Sequence, residues 1–177
     1  MKITTFVTGA ILAYLVSCVP ADAQQKMTVP GIVNFTRVDA TVACGGATSV
    51  AAIPEIKKQG FAAIINFRLA NEPDANVEAE GDAARAAGMK YIHLPFSAAA
   101  PDPAVVEAFL KAVADRTNQP VYIHCGTANR VGAMWLIKRV VGDRWAVEKA
   151  TVEAEAIGLT SPVLKTFALD YIKTHPK

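Results

Sequence analysis

The chain has 177 residues, close to the length of one average domain. With 52% hydrophobic residues, 19% charged residues and a net charge of +2, it is neither a disordered tail, an acidic solvating protein nor a strongly basic nucleic-acid binder. Three cysteines are too few for a disulfide scaffold, and after the first 20 residues no segment matches the roughly 20 apolar residues a membrane span takes.

The amino terminus has the layout of a secretory signal over residues 1–23. Lys2 supplies the positive end, Ile3 to Val19 the apolar middle, and Ala21-Asp22-Ala23 the small-residue ending. Cleavage after Ala23 exports the remainder, with the periplasm as the expected location. A rival exit exists, because Leu15-Val16-Ser17-Cys18 resembles a bacterial lipobox, in which Cys18 carries a lipid anchor. The rest, residues 30–177, reads as one catalytic domain without repeats or linkers.

That domain alternates short apolar runs with helical patterns, the mark of βαβ units around a mostly parallel sheet. Phe35 to Val42 reads as a first strand, and Thr48-Ser49 opens a helix to Lys58 that Gly60 closes. Phe61 to Phe67 is a continuous apolar run, as buried strands are. A weak alanine-rich helix from Asn76 to Ala87 precedes a third strand, Met89 to Leu94. Asp102-Pro103 is an N-cap followed by proline, and Val106, Phe109, Leu110 and Val113 make one apolar helix face. Pro120 introduces a fourth strand, Val121 to His124, and a helix from Arg130 to Val141 follows. Two more helices close the chain, the second opened by Ser161-Pro162. The expectation is a three-layer α/β fold, a short and mostly parallel sheet flanked by about six helices.

Most of the chemistry lies in His124-Cys125-Gly126-Thr127-Ala128-Asn129-Arg130. A buried strand ends at a cysteine, a loop of small residues follows, and an arginine opens a helix. Ligands of open α/β sheets sit outside the carboxyl ends of strands, where Cys125 falls. Backbone N–H groups of Gly126, Thr127, Ala128, Asn129 and Arg130 are placed to form an anion nest, reinforced by the helix N-terminus. Such a positive field favours the nucleophilic thiolate. Arg130 offers a planar fork for two oxygens of a tetrahedral oxyanion.

This loop resembles the active site of cysteine-dependent phosphatases, whose signature is His-Cys, a short loop and Arg. The surroundings resemble a bacterial branch of the dual-specificity phosphatase-like superfamily, the phosphatase-like domain of beta-lactamase hydrolase-like proteins. The segments that carry the likeness are Asn34-Phe35 through Gly45-Gly46, Ile65-Asn66-Phe67-Arg68, Tyr91 to Pro95 and Gly158 to Pro162. The resemblance implies a cysteine-phosphatase-like fold and phosphomonoester hydrolysis through a phosphocysteine, on phosphoprotein or small-molecule substrates. It implies no cofactor and no nucleic-acid partner.

Two features depart from the wider superfamily. Four residues separate Cys125 from Arg130, a gap that rhodanese sulfurtransferases also use to hold a persulfide. Val131 stands where phosphatases place a hydroxyl that eases departure of the thiolate; Thr127 is a substitute, and without one turnover is slow. A sulfurtransferase and an inactive oxyanion-binding module therefore stay open as alternatives.

Asp102, on the loop after the third strand, is the expected general acid and also an ordinary helix cap; Glu72 and Asp74 compete for the role. Arg68 reads as a second anion contact or a structural ion pair. His124 faces inward and supports the loop, and no His/Cys cluster has the spacing of a metal site. Trp135 and Trp145 read as core aromatics, and Lys138 and Arg139 as a solvated helix face. Cys44, at the end of the first strand, is a candidate to trap Cys125 as a reversible disulfide, provided their Cα atoms come within about 7 Å.

Overall fold

The computed structural model describes residues 24–175; the expected secretion signal and Cys18 lie outside them. Six strands form one sheet: β1 (Gln25–Lys26), β2 (Thr36–Arg37), β3 (Val42–Gly45), β4 (Ala63–Asn66), β5 (Lys90–His93) and β6 (Val121–His124). Their spatial order is β1-β2-β3-β6-β4-β5. The last four in that order run parallel, and β1 and β2 join antiparallel at one edge. The helices are α1 (Ile53–Lys58), α2 (Val77–Ala86), α3 (Pro103–Ala114), α4 (Asn129–Ile137), α5 (Val147–Ile157) and α6 (Pro162–Thr174).

Alternation along the strands sorts two cores. Cys44, Ile65, Ile123 and Cys125 pack with Val106, Phe109, Trp135, Ile157 and Leu164, so α3 to α6 cover one face. Ala43, Ile64 and Tyr122 pack with Ile53, Ile56 and Ala84, so α1 and α2 cover the other. The helix starts follow their caps: Asp102 accepts from the Ala104 N–H at 2.9 Å, and Ser161 caps α6. Helix α4 lies tight against the turn before α6, because a Cβ on Gly132 would come within 2.8 Å of Leu159 Cβ.

Two expectations needed correction. The strand expected over Phe35 to Val42 is a hairpin, turned where Asp39 Oδ1 accepts the Thr41 N–H at 2.8 Å, so Cys44 sits inside β3. A short Asp-containing turn within an apolar run leaves the period-two pattern almost undisturbed. Ahead of residue 30, β1 pairs with β2, a two-residue strand that carries no pattern in the sequence.

Arg139 is the second correction. It lies in a π-helical turn that prolongs α4 and is only 8% exposed. Its guanidinium meets Glu153 at 2.6 Å, Asp143 at 2.9 Å and Asp39 at 3.3 Å, and sits over the rings of Trp135 and Trp145. Asp39, Glu153 and Trp145, brought in from other elements, close over it, and a helix pattern alone does not show them. Removing one partner of a buried ion pair leaves the others uncompensated, so Arg139→Ala should cost about 3 kcal/mol in urea unfolding. A loss below about 1 kcal/mol would mark Arg139 as a surface charge after all.

Candidate active site

Cys125 follows the last residue of β6, the strand flanked by β3 and β4, and is fully buried. Two contacts turn the next peptides outward. Gly126 O accepts the Ala47 N–H at 2.7 Å, and Thr127 O accepts Asn34 Nδ2 at 3.4 Å. A trans peptide holds its N–H opposite its carbonyl, so the amides of Thr127 and Ala128 face away from Ala47 and Asn34. Ala128 then takes a left-handed conformation (φ 71°), and α4 starts at Asn129 with its first amides free of intrahelical acceptors. The loop is thus a candidate anion nest. Ala47 approaches closely because Gly46 has no side chain: a Cβ there would lie 3.0 Å from Gly126 O. Asn129 fixes the far end, its Oδ1 accepting the backbone N–H groups of Thr160 and Ser161, each at 2.7 Å.

Arg130 is held over the loop by Glu72. Nη1 donates to Glu72 Oε1 at 2.5 Å, and Nη2 to Oε2 at 2.8 Å. Nη1 also donates to the carbonyls of Phe67 at 3.1 Å and Phe96 at 3.0 Å. Nη2 lies 3.5 Å from where a Cβ on Gly126 would stand, so one edge of the guanidinium is anchored while the group covers the nest. Burial pushes the arginine down, but the Glu72 hydrogen bonds and the neighbouring Cys125 outweigh it and hold Arg130 above its ordinary range.

Glu72 is therefore an anchor. Burial pushes its carboxyl up, yet Arg130, the Leu69 N–H and Arg68 together hold it down at about 2. A carboxyl so low holds no proton at neutral pH and cannot act as the acid. Arg68 resolves as structural: its Nε meets Glu72 Oε2 at 3.2 Å, and its Nη atoms donate to the carbonyls of Pro73 and Asp74. It shapes the loop that carries Glu72. Asp102 is exposed and caps α3, with no contact to residues 125–130 among its hydrogen bonds. Thr127 Oγ1 accepts from Asn129 Nδ2 at 3.2 Å on the exposed side, and Val131 is buried in the core. His124 points to the α2 layer, stacked on Tyr122, with Nε2 2.7 Å from Glu80 Oε1. Among the described residues no group of His, Cys, Asp and Glu is arranged to hold a metal ion.

The thiol trap meets a geometric obstacle. Cys44 pairs with Ile123 in the β3–β6 ladder, two residues short of Cys125. Strand spacing of about 4.8 Å and a rise of about 3.3 Å per residue put their Cα atoms about 8 Å apart, beyond disulfide reach. Both thiols are free, and burial followed by the charge of Glu153 pushes Cys44 well up, away from the reactive thiolate.

A groove of about 750 Å³ is lined by Asp39, Thr41, Arg139, Trp145 and Lys149. It lies at the opposite end of β3 and α4 from Cys125, and its buried cation is already paired. Beside the nest, two shallower grooves of about 430 and 480 Å³ meet at Asp74 and Asn76.

Sheet order, layers and loop together define an α/β domain of the tyrosine-phosphatase-like class. Residues 34–142 match the family described as the phosphatase-like domain of beta-lactamase hydrolase-like protein, and the chain belongs to that family. The beta-lactamase hydrolase-like protein of Agrobacterium fabrum is 28% identical over 120 residues, covering 66% of this chain and 27% of that protein. The chain thus spans about a quarter of the relative's length. Among solved structures, a DUF442 protein from Shewanella putrefaciens has a TM-score of 0.70 at 20% identity, covering 84% of this chain and 97% of the other. Pseudomonas aeruginosa TpbA gives 0.64 at 20%, over 85% and 89% of the two chains. The core catalytic domain of the PP-IP phosphatase SIW14 from Saccharomyces cerevisiae gives 0.65 at 16%, over 80% and 87%.

The Glu72 anchor has a pH signature. Its carboxyl falls from the ordinary 4.5 to about 2 in the folded protein. A depressed folded value adds stability that is complete above the unfolded value and lost as pH falls toward the folded one. Glu72→Gln should therefore flatten the fall in stability between pH 4.5 and about 2, followed by thermal unfolding across that range. Parallel acid limbs for the variant and the parent would rule the anchor out.

Proposed function

We propose that the protein is a cysteine-dependent phosphomonoesterase. The observation that carries the reading is the end of β6: buried Cys125 opens a short loop, and Glu72 holds the Arg130 guanidinium over it. The Cys125 thiolate attacks phosphorus; an S–P bond forms as the ester P–O bond breaks. Arg130 and the amides of residues 126–130 hold the equatorial oxygens, whose charge they meet without reorganising. In this proposal the leaving oxygen takes a proton from Asp102, on the loop after β5, with exposed Asp74 the competing donor, because Glu72 is paired and Glu80 is buried. Water then attacks the phosphocysteine, and the thiolate departs. Val131 offers that departing sulfur no hydroxyl, so the second step limits turnover.

Membership in the phosphatase-like family supports this reading. TpbA, which shares the fold, has been solved in complex with phosphotyrosine, which makes phosphotyrosine peptides a first substrate class to compare with small phosphate esters. The signal over residues 1–23 places the activity outside the cytoplasm in the same proposal. A persulfide on Cys125 is the second reading, favoured by the four-residue gap to Arg130.

Hydrolysis of p-nitrophenyl phosphate should show a burst followed by slow turnover, and Cys125→Ser should abolish both. Full activity in that variant would sink the mechanism. Mass spectrometry of Cys125 after exposure to substrate should show a phosphoryl adduct, whereas a persulfide after thiosulfate would favour the second reading. Val131→Ser should raise the steady rate without enlarging the burst. Asp102→Asn should slow alkyl phosphates more than p-nitrophenyl phosphate, whose leaving group needs little protonation; equal effects would remove Asp102 from the acid role.

A further inference from the structure

A buried carboxylate behind the site, Glu80 on α2, has no part in the mechanism above. It is 1% exposed, and burying a charge is costly unless its partners are fixed. Glu80 Oε1 lies 2.7 Å from His124 Nε2, a contact made off the line of an aligned hydrogen bond. Its Oε2 accepts from Asn66 Nδ2 at 2.8 Å and from the Tyr91 hydroxyl at 3.2 Å. Asn66 and His124 are register partners on β4 and β6, so both side chains face α2 side by side.

Each partner leads to one half of the active site. His124 precedes Cys125, and its buried Nδ1 has no hydrogen-bond partner. A buried polar atom left unpaired beside a nucleophile points to function. Asn66 Oδ1 accepts the Arg68 N–H at 2.7 Å, which opens the loop where Arg68 and then Arg130 grip Glu72. One arm thus runs Glu80–His124–Cys125, the other Glu80–Asn66–Arg68–Glu72–Arg130. Tyr91 touches Glu80 and Asn66 but extends neither arm.

We propose that Glu80 is a positioning residue that aligns the Cys125 nucleophile and the Arg130 oxyanion clamp from a single buried carboxylate. The proposal rests on the reading of Cys125 and Arg130 as nucleophile and clamp. Gln at this position keeps the shape but replaces one carboxyl oxygen by an NH2 donor, so either the contact to His124 or the bond from Asn66 loses its oxygen.

The test uses iodoacetamide alkylation of Cys125 for the first arm and orthovanadate affinity for the second, neither of which needs turnover. Glu80→Gln should slow alkylation at neutral pH by about tenfold and weaken vanadate binding by about tenfold, in the range seen when outer-shell partners of a site are removed. With p-nitrophenyl phosphate, kcat should fall and KM should rise. Asn66→Ala cuts only the second arm: vanadate binding and KM should weaken while alkylation stays within about twofold. Tyr91→Phe should leave alkylation and vanadate affinity unchanged. Parental alkylation and vanadate affinity in a folded Glu80→Gln protein would overturn the proposal. Should that variant not fold, parental vanadate affinity in Asn66→Ala would overturn it equally. If the parent protein hydrolyses no phosphate ester while both probes respond as expected, the phosphatase reading fails and the positioning role stands.

Discussion

The pairing of Arg130 with Glu72 holds the ends of three strands in one place. Arg130 follows β6, the Phe67 carbonyl comes just after β4, the Phe96 carbonyl follows β5, and Glu72 sits on the loop that Arg68 shapes. A bidentate charge-assisted pair is about twice as strong as a neutral hydrogen bond and fixes direction as well as distance. Without the arginine, two carbonyls and a carboxylate would face one another across a half-buried gap. The position of Arg130 over the loop is therefore set by contacts inside the protein.

The second constraint is the alternation of β6. Side chains on a strand point to opposite faces in turn, so His124 and Cys125, adjacent in sequence, serve different layers. Cys125 belongs to the larger core with α4, whose N-terminus faces the nest. His124 belongs to the thinner layer under α2, stacked on Tyr122, and there the sheet accepts polar groups: Asn66, Tyr91 and Glu80. The same alternation keeps Cys44 on the Cys125 face yet two residues out of step, which preserves the free thiol.

At the far end of α4, Arg139 plays the corresponding structural part. Three carboxylates and two indoles surround it, joining the β2–β3 turn, α4 and α5. Both ends of the α4 region are thus tied by an arginine to acids from other elements, Glu72 at the start and Asp39 and Glu153 at the far end.

Strand β6, the caps at Asp102 and Ser161, and the loop from Cys125 to Arg130 were legible in the sequence, because each rests on near neighbours along the chain. Apolar runs, cap residues and small loop residues act within a few positions, and local propensity suffices to read them. The partners of the charged side chains were not legible. Glu72 lies 58 residues from Arg130, Glu80 lies 44 from His124, and Asp39 lies 100 from Arg139. Nothing in a one-dimensional pattern says whether a glutamate is a proton donor, an anchor or a solvated charge. That was decided by strand order, which lays β4 beside β6, and by the side of the sheet on which each helix closes, because burial and charge depend on distance in space.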